Sequence, residues 1–180
     1  MARMDEVAVT APKHRESVWA SVPPGDFEVF FEQQHERLFR ALCLLTRNRQ
    51  EAEEVMQDAF LRLWERWDRV CAGSDPVGYL YRTALNVWRS RLRRVAVAAR
   101  KAIHHIQDDD QMVDVEDRDA VVRALAPLPP RQRAAIVLMD VLDLSSERAG
   151  EVLGIRPVTV RVLAARARAA LAKEMEERHG

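Results

Sequence analysis

From Phe27 onward, apolar residues recur at intervals of three and four, the spacing that lines one face of an α-helix. Phe27, Phe30, Phe31, Gln34, Leu38, Ala41, Leu42 and Leu45 share one such stripe, and Asp26 stands where an N-cap belongs. A polar run at 47–50 breaks the pattern. A second stripe of Ala52, Val55, Met56, Ala59, Phe60, Leu63, Trp64 and Trp67 predicts another helix, able to bury its apolar face antiparallel to the first. After a loop at 71–74, Asp75 and Pro76 pair a good cap with the residue best tolerated at the first helical position. The third helix then turns Val77, Leu80, Tyr81, Ala84, Trp88 and Leu92 inward. Because Trp64, Trp67 and Trp88 all sit on apolar stripes, all three are expected in the core.

The second half of the chain is built from shorter pieces. Val121, Val122 and Leu125 predict a short helix that stops at Pro127. Pro129-Pro130 opens another, with Ala134, Ile136, Val137, Leu138 and Val141 available for burial. Ser145 can cap the helix that follows, with Glu147 in its first turn, where the helix dipole favours an acid. Gly150 removes side-chain bulk where a second helix must cross closely, and Gly154 is free to take the left-handed backbone conformation of a tight turn. The last helix turns Val160, Ala164, Ala167 and Leu171 inward. This is the layout of a helix-turn-helix, whose second helix enters the major groove of DNA.

The fold class expected is therefore all-α, with two small helical domains joined by a flexible acidic linker and the C-terminal domain a helix-turn-helix. Residues 1–25, with Pro12, Pro23, Pro24 and Gly25 and no sustained period, are expected to be a flexible extension. The first domain spans 26–95, the linker 96–118 and the second domain 119–176.

A net charge of zero argues against a protein that coats nucleic acid by bulk electrostatics, so sign segregation decides more than the total. From Arg82 to Lys101 there are seven basic residues and no acid. Asp108, Asp109, Asp110, Asp114, Glu116, Asp117 and Asp119 follow, relieved only by Arg118, and the linker they form is expected to fold back on a basic surface in the free protein. A third block, from Arg156 to Lys173, is again basic without acids. Two basic elements around an acidic connector point to two nucleic-acid contacts. Arg82, Asn86, Arg89 and Arg93 fall together on one exposed stripe of the third helix, suited to phosphate and base-edge contacts.

Other chemistries find little support. Cys43 and Cys71 have no His or Cys at metal-ligand spacing and read as small buried or half-buried apolar residues, and the adjacent His104 and His105 would diverge on a helix. No glycine-rich phosphate loop, metal-ligand cluster or nucleophile motif stands in the chain, so neither an enzyme nor a cofactor is expected. No apolar run approaches the roughly 20 residues that span a bilayer, and no secretory leader pattern opens the chain, so a cytoplasmic protein is expected.

Taken in order, these segments resemble sigma factors of the extracytoplasmic-function (ECF) group, over roughly 26–95 and 119–174. The run 51–64, EAEEVMQDAFLRLW, is similar to that family's polymerase-docking helix. YLYRTALN at 79–86 with RLRR at 91–94 is similar to the helix that handles the promoter's minus-ten element, and LPPRQR at 128–133 with the helix-turn-helix to the module that reads the minus-thirty-five element.

The resemblance implies a promoter-specificity subunit that binds core RNA polymerase and promoter DNA and is commonly held inactive by an anti-sigma factor. Carried onto this chain, it implies polymerase contacts at Glu54, Gln57, Asp58 and Leu61, and a base-capture loop near Arg69, Gly73 and Ser74. It implies downstream DNA contacts at Arg82, Asn86, Arg89 and Arg93 and upstream contacts at Arg156, Thr159, Arg161 and Arg166. The chain departs from the family at Ser90, where an acid is frequent, and at Leu85, where a basic residue often precedes the Asn. Val162 and Leu163 stand where the family usually carries polar or basic residues, so the upstream contact is weaker, differently specific, or replaced there by a protein. Two other readings stand beside this one: a self-sufficient helix-turn-helix regulator, and an adaptor that binds polymerase but not DNA.

Overall fold

The computed structural model describes residues 26–73, 75–101 and 116–179. The extension 1–25, Ser74, both His104 and His105, and the aspartates at 108–114 lie outside the described residues, as does the expected fold-back of the acidic linker. The described residues are helical with no strand: α1 (Phe27–Thr46), α2 (Arg49–Trp64), α3 (Trp67–Ala72), α4 (Pro76–Lys101), α5 (Glu116–Leu125), α6 (Pro130–Ile136), α7 (Ser146–Leu153) and α8 (Pro157–His179). The expected caps form. Asp26 accepts from the Glu28 amide at 3.1 Å, Asp75 from Gly78 at 2.9 Å, and Ser145 from Arg148 at 3.2 Å. Each satisfies a backbone donor that the first turn leaves without an intrahelical partner.

In the first half, α1, α2 and α4 pack around Leu38, Leu42, Val55, Leu63, Leu80 and Trp88, the last only 2% exposed. On α4 the buried residues Val77, Leu80, Tyr81, Ala84, Leu85, Val87 and Trp88 cover an arc of about 160° at 100° per residue. That arc is wide enough to meet more than one neighbour, and α7 from the second half packs on the same helix. The burial of Leu85 accounts for an apolar residue there.

Three expectations are corrected here. The second helix does not run through Trp67: it stops at Trp64, turns at Glu65 and Arg66, and restarts as α3. That turn brings Trp67 against Phe27 and Phe30, with ring centroids 5.2 and 5.1 Å apart, and leaves Trp64 61% exposed instead of in the core. Phe31 and Val141, expected inside, are also exposed; Phe31 lies at the rim of the aromatic cluster, touching Phe60 and stacking on His35. The helix opened by Pro130 widens after Ile136 into a π-helical turn, Val137–Val141, which carries Val141 outward before the chain leaves through Asp143 at φ 55°. At the domain junction, α4 continues through Lys101 and α5 begins at Glu116, so the expected linker at 96–118 overlaps helix at both ends.

In the second half, α6, α7 and α8 enclose Ile136, Leu138, Val152, Leu153, Val160 and Ala164. The helix-turn-helix closes as the glycines require. Gly154 sits at φ +66°, and a Cβ on Gly150 would lie 2.8 Å from the Ile155 carbonyl oxygen, whose residue donates its amide back to Gly150 at 3.0 Å. Gly150→Ala is therefore expected to destabilise the second domain by about 1–3 kcal/mol through overpacking against backbone that cannot rotate away. An unchanged thermal melt of that variant would contradict the close approach.

The two halves are joined by arginines. Arg37 of α1 donates to the Leu142 carbonyl at 2.6 Å, Arg89 of α4 to the Leu153 carbonyl at 3.0 Å, and Arg133 of α6 to the Leu45 carbonyl at 2.8 Å. Each acceptor lies at a helix C-terminus, where carbonyls lack intrahelical partners and the helix dipole favours a cation. A fourth arginine, Arg148 of α7, pairs with Asp75 at the start of α4. A Cβ on Gly78 would come within 2.6 Å of that guanidinium, so glycine leaves room for the pair.

Candidate functional site

Three surfaces carry the residues singled out by the sequence. On α2, Glu54, Gln57 and Leu61 are placed off the buried stripe, with Glu54 and Leu61 exposed and Asp58 half-buried. Arg91 of α4 reaches across to both acids, 2.5 Å from Glu54 and 3.2 Å from Asp58. Burial draws the Arg91 guanidinium down, but hydrogen bonds to the two carboxylates and their charges outweigh it and hold it above its ordinary value. Leu61, 54% exposed, and Trp64 extend this surface as an apolar end beside the acids. At 100° per residue Trp64 lies about 40° beyond Phe60, the edge of the buried stripe, on the side of Gln57, and the break at Glu65 separates it from Trp67.

On α4 the stripe of Arg82, Asn86, Arg89 and Arg93 lies opposite the buried arc, as its spacing requires. Asn86 is exposed. Arg82 is half-buried, 3.6 Å from Asp75, and Arg89 is half-buried with its bond to Leu153. Burial, then the neighbouring charges of Arg131 and Arg93, lower the Arg89 guanidinium from its ordinary value. Arg93 hydrogen-bonds the Ser90 hydroxyl at 2.9 Å, which gives Ser90 a partner within its own helix. Arg69 lies exposed on the short helix α3 rather than in a loop, and Gly73 follows that helix.

At the start of α8 and along it, Thr159, Arg161 and Arg166 are exposed, and Arg156 stands immediately before the helix. Arg161 turns back to Ser146 at 2.8 Å and Glu147 at 3.4 Å, tying the last helix to the first turn of α7. Leu163 packs partly against the core, whereas Val162 is 44% exposed. Of the two apolar departures, one therefore belongs largely to the interior.

The arrangement sets an acid-and-apolar face on α2 apart from arginine-bearing faces on α4 and α8. Cys43 and Cys71 are both half-buried. Among the described residues no group of three or more His, Cys, Asp or Glu is placed to hold a metal ion, and no helix is long and apolar enough to cross a membrane.

Comparison with known proteins agrees with this layout. The sequence model for sigma-70 region 2 matches residues 30–109, and that for sigma-70 region 4 matches residues 118–171. The chain is 32% identical over 148 residues to the ECF RNA polymerase sigma factor SigM of Mycobacterium tuberculosis, covering 82% of this chain and 76% of the relative. It is 27% identical over 157 residues to the RNA polymerase sigma-E factor of Streptomyces avermitilis, covering 85% and 87%. Among solved structures, the sigma factor RpoE in complex with the anti-sigma factor NepR, from Bartonella quintana, superposes with a TM-score of 0.70 at 22% identity, covering 84% of this chain and 97% of that one. CnrH in complex with the cytosolic domain of CnrY gives 0.62 at 24% identity, covering 84% and 88%. The region 2 and region 4 matches, in this order and on these helices, and the identity to SigM over most of both chains establish that the protein belongs to the ECF family of RNA polymerase sigma factors.

Proposed function

We propose that this chain binds core RNA polymerase through the α2 face and directs promoter-specific transcription initiation, reading the minus-ten element with α4 and the minus-thirty-five element with α8. The observation that carries the reading is the separation of an acid-and-apolar docking face from two arginine faces on different helices. A specificity subunit must hold an enzyme and two stretches of DNA at once, which one shared surface cannot do. On α4, Arg82, Asn86, Arg89 and Arg93 contact the downstream element, and the segment around the end of α3, with Arg69, Gly73 and Ser74, holds a base that has left the duplex. Extruding one base costs a few kcal/mol, so its capture stabilises the melted strand. Arg156, Thr159, Arg161 and Arg166 position the second domain on the upstream element. An anti-sigma partner is proposed on the same footing, since RpoE was solved with the anti-sigma factor NepR and CnrH with the cytosolic domain of CnrY.

Run-off transcription with purified core polymerase, with and without the chain, tests the reading. Chain-dependent transcripts from a defined start are the expected result. Binding of a palindromic operator without polymerase would favour a self-sufficient regulator instead, and polymerase binding with no promoter-dependent transcripts would favour an adaptor. If Arg82, Arg89, Arg93, Arg156, Arg161 and Arg166 each neutralise one phosphate, the logarithm of holoenzyme affinity for promoter falls by roughly 5 for each tenfold rise in salt. A nearly flat salt dependence would contradict phosphate contact by these side chains.

A further inference from the structure

The exposed face of α8 is not uniformly polar. Placed at 100° per residue, Val158, Val162 and Ala165 form one apolar strip about 60° wide along the first half of the helix. All three are exposed, so the strip is not part of the domain's core. Arg161 flanks it on one side, Thr159 and Arg166 on the other, and no acid occurs on α8 before Glu174. An apolar strip between two basic margins matches a major groove: phosphate walls on both sides attract the arginines, and the floor presents the thymine 5-methyl as its apolar feature. The exposed acids and apolar residues of α2 offer no such margins, and an apolar partner helix would bring the flanking arginines no acceptor beyond the Glu147 that Arg161 already meets.

We propose that Val162, supported by Val158 and Ala165, is a specificity-determining residue that reads a thymine methyl in the upstream promoter element. The proposal rests on the sigma-factor reading above and deepens it. The aliphatic strip supplies what a polar side chain at this position could not, a dry contact that favours thymine over cytosine at one position without a hydrogen bond to the base edge. The arginines on its margins set the register of the helix in the groove.

The test removes the methyl from the DNA rather than from the protein alone. Holoenzyme selects an upstream element from a randomised library, and each thymine in that element is then replaced by deoxyuridine, which differs only by the 5-methyl. Holoenzyme affinity is expected to fall about fourfold at one or two thymines, the equivalent of about 0.8 kcal/mol for one buried methyl. With the Val162→Ser holoenzyme, affinity for the thymine promoter is expected to fall by a similar factor and the preference for thymine over uracil at that position to disappear. A thermal melt shows that the variant is folded, as its exposed position requires. Deoxyuridine tolerated within twofold at every thymine, full thymine preference retained by Val162→Ser, or a selected element without thymine would each overturn the proposal. Holoenzyme that selects no promoter at all would overturn the reading beneath it and the proposal together, so the two failures are told apart.

Discussion

Replacing Trp64 by alanine is expected to weaken binding to core polymerase by about 30-fold or more while leaving the fold intact. The side chain is 61% exposed, one turn beyond Leu61 and two turns beyond Gln57 on the face proposed above to dock on polymerase, whose acids are Glu54 and Asp58. Large aromatic anchors that a partner buries carry about 2 kcal/mol or more each, which is the factor of about 30. Because Trp64 buries little within its own domain, the thermal melt of the free chain is expected to stay within about 1 °C. Trp88→Ala makes the contrast: a fully buried indole lost from the core costs about 3–5 kcal/mol of stability. Competition binding to core polymerase and a melt of each variant separate the two cases. Unchanged polymerase affinity for Trp64→Ala, or a melt lowered as far as that of Trp88→Ala, would contradict the assignment of Trp64 to the docking face.

The second large effect is expected at Arg133. This residue is 6% exposed, and its guanidinium donates to four carbonyls: Leu45 at 2.8 Å, Leu128 at 2.9 Å, Leu125 at 3.2 Å and Ala126 at 3.3 Å. No carboxylate is among these acceptors. Burial, then the charge of Arg47, lower the guanidinium to about 10, so it is still charged at neutral pH. Arg133→Met keeps much of the packing stem and removes every donor, which isolates the hydrogen bonds from the volume. Buried carbonyls left unpaired each cost about 1–3 kcal/mol, and some relax toward water, so a net loss of about 3–5 kcal/mol is expected. In a chain of this size that lowers the melting temperature by roughly 10 °C. Arg133→Lys is expected to recover only part, because one ammonium cannot address four separated oxygens. A loss below about 1 kcal/mol for Arg133→Met, or full recovery with lysine, would show that the four bonds contribute little.

Much of the architecture was legible in the sequence because it follows from periodicity and end signals. The stripes of α1, α2 and α4, the caps at Asp26, Asp75 and Ser145, and the roles of Gly150 and Gly154 each rest on contacts within a few residues. What the sequence misplaced depends on where a neighbour stops. Trp64 keeps the three-and-four spacing but falls about 40° beyond Phe60, the edge of the buried arc at 100° per residue, and the turn at Glu65 and Arg66 brings Trp67 into the aromatic cluster instead. The arginine contacts between the halves were not legible at all. Arg37, Arg89 and Arg133 point to main-chain oxygens, and every residue carries one, so no complementary residue type marks the partner. Arg91 is similar: it meets Glu54 and Asp58 from 37 and 33 positions away in the chain, a distance over which no local pattern runs.

Those main-chain acceptors also bear on how the protein tolerates divergence. A carbonyl cannot be mutated away, so replacing Leu45, Leu142 or Leu153 by another residue of similar bulk preserves the bond, and only change at the arginine deletes it. The Asp75 and Arg148 pair has no such insulation, since drift at either position breaks it. Among descendants of this chain, the three carbonyl-bound arginines are therefore the side chains whose loss would leave the partner helix sequence with no means of compensation.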